Sequence, residues 1–492
     1  MLKIPKCMST QHPDNVNSPF FAGDTELSGE DEIQEAYYAF SHLGCDEQMW
    51  DCEGKEVDNF VVKKLLTKYE SFFREKRLGR DVFITLRVPN PTVEKGEAKI
   101  LLETLESIPR SFDAAKLFYQ DDNDTPPIFE VILPMTASPK CLDRIYRYYC
   151  DFVVGKQNKP FREGDITIAE WIGEFKPERI NVIPLFEDME HMLDSHNMTK
   201  EYLQDKDVEY QRVFLARSDP AMNYGLISAV LLNKIALQRL QTLSEDIGVE
   251  IYPIVGIGSA PFRGNLRPQT VERVTKEYPS AHTFTVQSAF KYDNPPDEVR
   301  EAIRKLQERK TGSPQEIDEE RCLEIIRKYS QEYQKQIIEL APVINKVARY
   351  VPSRRKRKLH IGLFGYSRSI GGVTLPRAIT FTAALYSIGL PPEILGLNAL
   401  NDDDLQFINE VYVNFEDDLR DSLRYFNPDA GFLPKGLEAG VRVRVRDFAA
   451  DFQPDEEHKE ITDYIAGSLK GDKTDDLGEY VLRAANLRKF LG

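Results

Sequence analysis

The chain has 492 residues, and 64 Lys plus Arg against 80 Asp plus Glu leave a formal charge of −16. That length suits one large α/β barrel with additions, or about three average domains, and the acidic balance repels phosphate backbones, which excludes nucleic acid as the main partner. A hydrophobic share of 41% excludes disorder, six cysteines without a Cys-x-x-Cys pair exclude a disulfide scaffold and structural zinc, and no apolar run points to a membrane span.

The opening MLKIPKCMSTQHPDN turns polar before a signal-type apolar core could form. The expectation is a soluble, reduced, cytoplasmic enzyme. Asp31–Leu78 then reads as helix-rich. From there, short apolar, β-branched runs recur at Val82–Leu86, Ile128–Leu133, Ile180–Phe186, Val213–Ala216, Val249–Val255, Thr283–Val286 and His360–Phe364. Segments of helical period lie between most of them: Glu94–Ser107, Pro139–Val154, Asn223–Ser244 and Pro295–Arg309. In the third, Ile227, Val230, Leu231 and Ile235 form an apolar stripe. Alternating strands and helices imply parallel pairing under a helical cover. These seven strands, with an eighth hidden or irregular, predict a (β/α)8 TIM-like barrel, with an open doubly wound sheet as the alternative. The predicted division is one catalytic domain: an N-terminal segment over 1–80, a barrel core over 81–390 and a mainly helical region over 391–492. Ile317–Arg349 adds a long helix. The basic run Arg354–Lys358 reads as a solvated turn before the strand at His360.

Barrel chemistry sits at the C-terminal ends of the strands. There the sequence places Arg87, Glu187 with Asp188, Arg217 with Asp219, a Gly-rich loop carrying Arg263, and Arg368 and Arg377 around Gly371-Gly372. Any one of these arginines, taken alone, reads as a surface ion pair. Several at one rim beside glycine-rich turns read as an anion site, because guanidinium matches phosphate and carboxylate oxygens bidentately. Glu187 and Asp219 end neighbouring strands and suit Mg²⁺, or else pair with the arginines. His12 lies among turn formers; it is either part of a frayed terminus or a proton-transfer group folded over the rim. The other histidines show no spacing of metal-ligand type.

MSTQHPDN, WDCEGKEVD, INVIPLFEDME, FLARSDPAMNYG, SAPFRGN, FTVQSAFKYDNP and GGVTLPRAITFTAALYSIGLPPEILG together resemble blocks of the archaeal-type phosphoenolpyruvate carboxylases. The resemblance spans nearly the whole chain. It implies carboxylation of phosphoenolpyruvate with bicarbonate to oxaloacetate and phosphate, through carboxyphosphate and an enolate. It also implies Mg²⁺ or Mn²⁺, no biotin, and a homotetramer. Carried over, His12 matches the essential histidine, Glu187 and Asp219 the metal ligands, and Arg263, Arg368, Arg377 and Arg87 the arginines. The larger bacterial and plant enzymes carry a lysine where this chain has Met222, and His-Gly-Arg where it has Val255-Gly256-Ile257. Arg217 is expected to replace some of that charge, as a catalytic group. A mobile loop is expected, with Gly256–Asn265 as a candidate. Another Mg²⁺-dependent barrel lyase acting on phosphoenolpyruvate or a 2-oxo acid, and a non-catalytic anion-binding scaffold, remain as alternatives. A bicarbonate requirement separates the first and turnover the second.

Overall fold

The computed structural model describes residues 3–53, 58–121, 123–356, 368–434, 437 and 454–492. Within them eight parallel strands close into a barrel in chain order. They are β1 (Cys7–Ser9), β2 (Glu47–Asp51), β3 (Phe83–Arg87), β4 (Glu130–Leu133), β5 (Asn181–Phe186), β6 (Tyr210–Ala216), β7 (Glu250–Gly256) and β8 (Thr283–Val286). Closure comes from β1, which pairs with β2 through Met8↔Glu47 and with β8 through Met8↔Thr285.

Strands β3 to β8 fall on six of the predicted runs. Strand β2 lies instead inside the helix-rich stretch Asp31–Leu78, and β1 inside the polar opening segment, where no strand is predicted. Their signals were weak for physical reasons: β1 has three residues, and β2 reads Glu-Gln-Met-Trp-Asp. Glu47 nevertheless points into the barrel and is fully buried. The eight strands thus end at Val286, and the barrel closes without the predicted strand at His360–Phe364, which lies outside the described residues.

Buried ions floor the barrel. Arg212 on β6 donates to Glu47 Oε1 and Oε2, both at 2.7 Å, and to Glu130 Oε2 at 2.8 Å. Thr85 Oγ1 also donates to Glu47. Above this layer Met8, Met49, Ile132, Ile183, Leu185, Phe214, Ala216 and Ile254 fill the interior. The barrel is therefore a packed core rather than a pore, and chemistry is confined to its C-terminal face.

The helical cover follows the sequence periods. In Leu226–Ile247 the stripe of Ile227, Val230, Leu231 and Ile235 is buried, and Gly248, at φ +67°, ends the helix in the left-handed conformation that glycine takes without strain. A 30-residue helix, Glu319–Ala348, and later helices including Ala378–Ser387, Glu456–Lys470 and Leu477–Arg488 follow the barrel. Among the described residues, no single helix is long and apolar enough to cross a membrane. The last residues return to the barrel rim, where the Leu491 amide donates to the Asp14 carbonyl at 2.7 Å.

The basic run departs from expectation at its first two residues, while Lys356 is exposed as expected and residues 357 and 358 lie outside the described residues. Arg354 and Arg355 are 7% and 2% exposed, not solvated. Arg355 donates to Glu32 Oε1 at 2.7 Å and to Glu35 Oε2 at 2.8 Å on the helix Glu30–Tyr38. Local pattern could not show this, because the acidic partners lie more than 300 residues upstream.

Candidate active site

Each strand end presents its last residues upward, and the loops that follow carry the rest. Beyond β1, the Thr10 amide donates to the Val286 carbonyl at 3.0 Å, and the amides of Asp14 and Ser288 donate to the His12 carbonyl at 3.1 and 3.3 Å. The segment read as a possible frayed terminus is thus stitched to the end of β8. The His12 Nδ1 lies 2.9 Å from Thr10 Oγ1. A proton shared in that contact fixes the ring's orientation, and its direction follows the tautomer.

Arg87 ends β3. It donates Nε and a terminal nitrogen to the Asp51 carboxylate, both at 3.1 Å, and pairs with Glu53 at 2.9 Å. Glu187 follows β5, and its Oε2 accepts the Met135 amide at 2.7 Å. Met135 sits at φ +48°, a left-handed conformation that costs a non-glycine residue about 1–3 kcal/mol. The turn after β4 thereby aims an amide at this carboxylate. Asp219 stands in the first turn of the short helix Ser218–Tyr224, where the amide dipoles favour negative charge.

The loop after β7 is built around Arg263. The buried guanidinium donates to Gln287 Oε1 at 2.6 Å, Gly492 O at 2.6 Å, Ser218 Oγ at 3.1 Å and Asp14 Oδ2 at 3.3 Å. It lies so close to Gly258 that a Cβ there would sit 2.8 Å from its Cζ, and Gly264, at φ +115°, has the Ile257 side chain where a Cβ would go. Asn265 Nδ2 donates to Asp418 at 2.7 Å and Asp421 at 2.9 Å. The loop expected as mobile is buried and cross-linked here. Arg217, also buried, donates to Tyr278 Oη and the Phe262 carbonyl, each at 3.3 Å. It braces the loop from beneath. Met222 is buried, and its carbonyl accepts from Tyr333 Oη at 2.9 Å.

A cavity of about 520 Å³ gathers these groups: His12, Arg87, Glu187, Arg217, Asp219, Arg263 and Arg377 all line it. Arg377 precedes the helix Ala378–Ser387. Arg368 begins the two-stranded hairpin of β9 (Arg368–Ile370) and β10 (Val373–Leu375), turned by Gly371 and Gly372, and its side chain lies outside the described residues. Sequence reasoning missed Glu53, Gln287, Arg354 and Leu491 on the same wall. Glu53 and Gln287 lay within quoted motifs and Arg354 within the basic run, whereas Leu491 carries no local signal.

No group of three or more His, Cys, Asp or Glu side chains placed for a metal occurs among the described residues. Two carboxylates on one wall, Glu187 and Asp219, are the hard-oxygen donor set that Mg²⁺ takes, with water and ligand oxygens completing its shell. The residues present fit such an ion.

A family-wide sequence profile described as phosphoenolpyruvate carboxylase matches residues 4–492. The chain belongs to the archaeal-type phosphoenolpyruvate carboxylase family. It is 62% identical over 493 residues to the phosphoenolpyruvate carboxylase of Methanothermobacter thermautotrophicus, with 100% of both chains covered. The enzyme of that name from Methanospirillum hungatei is 59% identical, again with 100% of both covered. The Pyrococcus furiosus one is 52% identical, over 99% of this chain and 100% of its own. As a member of the phosphoenolpyruvate carboxylase family the chain is an enzyme, and its barrel rim is where the family's chemistry has to be housed.

Proposed function

We propose that the enzyme carboxylates phosphoenolpyruvate with bicarbonate, giving oxaloacetate and phosphate. The observation that supports this most is a single cavity lined by an imidazole, two neighbouring strand-end carboxylates and several guanidiniums, in a chain matched end to end by the family.

Glu187 and Asp219 would hold Mg²⁺ or Mn²⁺, which when bound supplies Lewis-acid stabilisation of phosphoryl and enolate oxygens. The chain's own groups do the rest. The arginines neutralise and orient the phosphoryl group as it passes to bicarbonate, because such transfer is mainly positioning plus charge stabilisation. His12 accepts the proton of the resulting carboxyphosphate, which breaks into CO₂ and phosphate. The enolate of pyruvate then attacks CO₂. Walls that exclude water prevent its protonation to pyruvate. Within this reading Arg217 acts through the loop it braces rather than on substrate. Cytoplasmic location and a homotetramer belong to the same reading and rest on family membership.

Oxaloacetate formation measured with and without bicarbonate and Mg²⁺ tests the reaction; turnover without bicarbonate favours a different barrel lyase. His12→Asn tests the proton step. Oxaloacetate should be lost by about 10²–10⁴-fold while some phosphate release persists. A near wild-type rate of oxaloacetate formation removes His12 from that role.

A further inference from the structure

The charges on the cavity wall are unequally spoken for. Arg87 is matched by Asp51 and Glu53, Arg263 by Asp14, and Arg355 by Glu32 and Glu35. Arg354 differs. It donates Nε to the Asn15 carbonyl at 3.3 Å and one terminal nitrogen to the Val16 carbonyl at 2.6 Å. Its other terminal nitrogen has no protein partner among the described residues, and no carboxylate there lies within 4.0 Å of it. The carboxylate that acts on it from further away is Asp293. That group is already occupied by the amides of Val16 and Asn17, at 2.7 and 2.8 Å, and by the Asn17 side chain at 3.0 Å. Burial works against the Arg354 charge and pulls its pKa down. A guanidinium that is 7% exposed, bonded to neutral carbonyls and set in a cavity wall is a site made for an anion.

The barrel order says which anion. The metal-type carboxylates follow β5 and β6, and in a closed eight-stranded barrel β1 faces β5 across the mouth. Phosphoenolpyruvate, whose phosphoryl and enolate oxygens need the cation, belongs on that side. Arg354 is tied to Asn15 and Val16, just beyond His12 on the loop after β1. The group beside the proton acceptor is the second substrate. Bicarbonate is a small anion, one of whose oxygens can take the remaining terminal nitrogen of Arg354 in a charge-assisted hydrogen bond.

We infer that Arg354 is a binding residue for bicarbonate. The inference rests on the function proposed above. The experiment is steady-state oxaloacetate formation by the full-length enzyme, with bicarbonate and phosphoenolpyruvate varied independently. Arg354→Gln should raise KM for bicarbonate roughly 10–10²-fold, the worth of a hydrogen bond to a charged group, and move KM for phosphoenolpyruvate about twofold at most. Arg354→Lys keeps the charge and a donor for the Val16 carbonyl. It should show the same selectivity with a smaller rise, and it decides the matter if the Gln variant does not fold. A wild-type enzyme without bicarbonate-dependent turnover overturns the function itself. An active wild type whose variants keep the bicarbonate KM overturns the inference alone. So does a rise confined to the phosphoenolpyruvate KM, or a fall in kcat with both KM values unchanged, which would assign Arg354 only to holding Asn15 and Val16.

Discussion

Arg263 and Asp14, 249 residues apart in the chain, meet at 3.3 Å across the barrel rim. The pair joins the Gly-rich loop after β7 to the loop that carries His12. Asp14 Oδ1 also accepts the Ala289 amide at 2.7 Å, so one carboxylate ties together the ends of β1, β7 and β8. Burial raises its pKa, and Arg263 works in the opposite direction. Asp14→Asn should keep the Ala289 contact but turn a neutral amide toward the guanidinium. The expected result is a fall in kcat/KM of about 10²-fold, the cost of a small misplacement at a reacting centre, together with a lowered thermal midpoint, because the buried Arg263 loses its carboxylate. Unchanged kcat/KM would show that the two loops hold their places without the pair.

Glu187 is held by the Met135 amide, which a glutamine oxygen can equally satisfy. Glu187→Gln therefore removes charge while leaving the local hydrogen bond. The Mg²⁺ or Mn²⁺ concentration for half activity should rise by about 10–10²-fold. Direct Mn²⁺ binding, followed by calorimetry in the absence of substrate, should weaken in parallel. An unshifted binding isotherm would place the metal on other residues.

The floor of the barrel gives a test separate from chemistry. Arg212 is fully buried against Glu47 and Glu130, and removing one partner leaves an ill-matched buried charge. Glu47→Gln should destabilise the fold by about 3–5 kcal/mol, read as a lower denaturant midpoint. The folded fraction should keep its kcat, because the apolar layer of Met8, Met49 and Phe214 lies among the interior residues between this triad and the mouth. A loss of kcat at unchanged stability would tie the floor to the active site.

Legibility of the sequence followed the locality of the forces. Strands β3 to β8 bury both faces against helices and barrel interior, so they appear as apolar runs. Strand β2 instead spends Glu47 on the buried triad, so it reads as polar. Strand β1 is too short to show a period. The rim residues Arg87, Glu187, Asp219 and Arg263 were visible because each follows a readable strand. Arg354 was misread because its burial depends on carbonyls more than 300 residues away. Arg217 was legible as a rim residue, but its direction is set by Tyr278 and the Phe262 carbonyl. No local pattern encodes those contacts.

Glu393 makes stability depend on pH. The side chain is fully buried and accepts the Tyr386 hydroxyl at 2.6 Å. Burial pushes its pKa up to about 8, the Tyr386 hydrogen bond works against this, and Asp418 adds to the rise. The unfolded carboxyl ionises near 4.5. Between these values the unfolded chain has released a proton that the folded chain retains, so stability falls as pH climbs from 4.5 to about 8 and then levels. Glu393→Gln keeps an acceptor for Tyr386 and has no proton to lose. Its thermal midpoint should match the wild type near pH 4.5, exceed it at pH 8, and vary less between them. Parallel midpoint curves for the two proteins over that range would mean that Glu393 is ionised in the fold and that its charge is compensated by groups other than Tyr386.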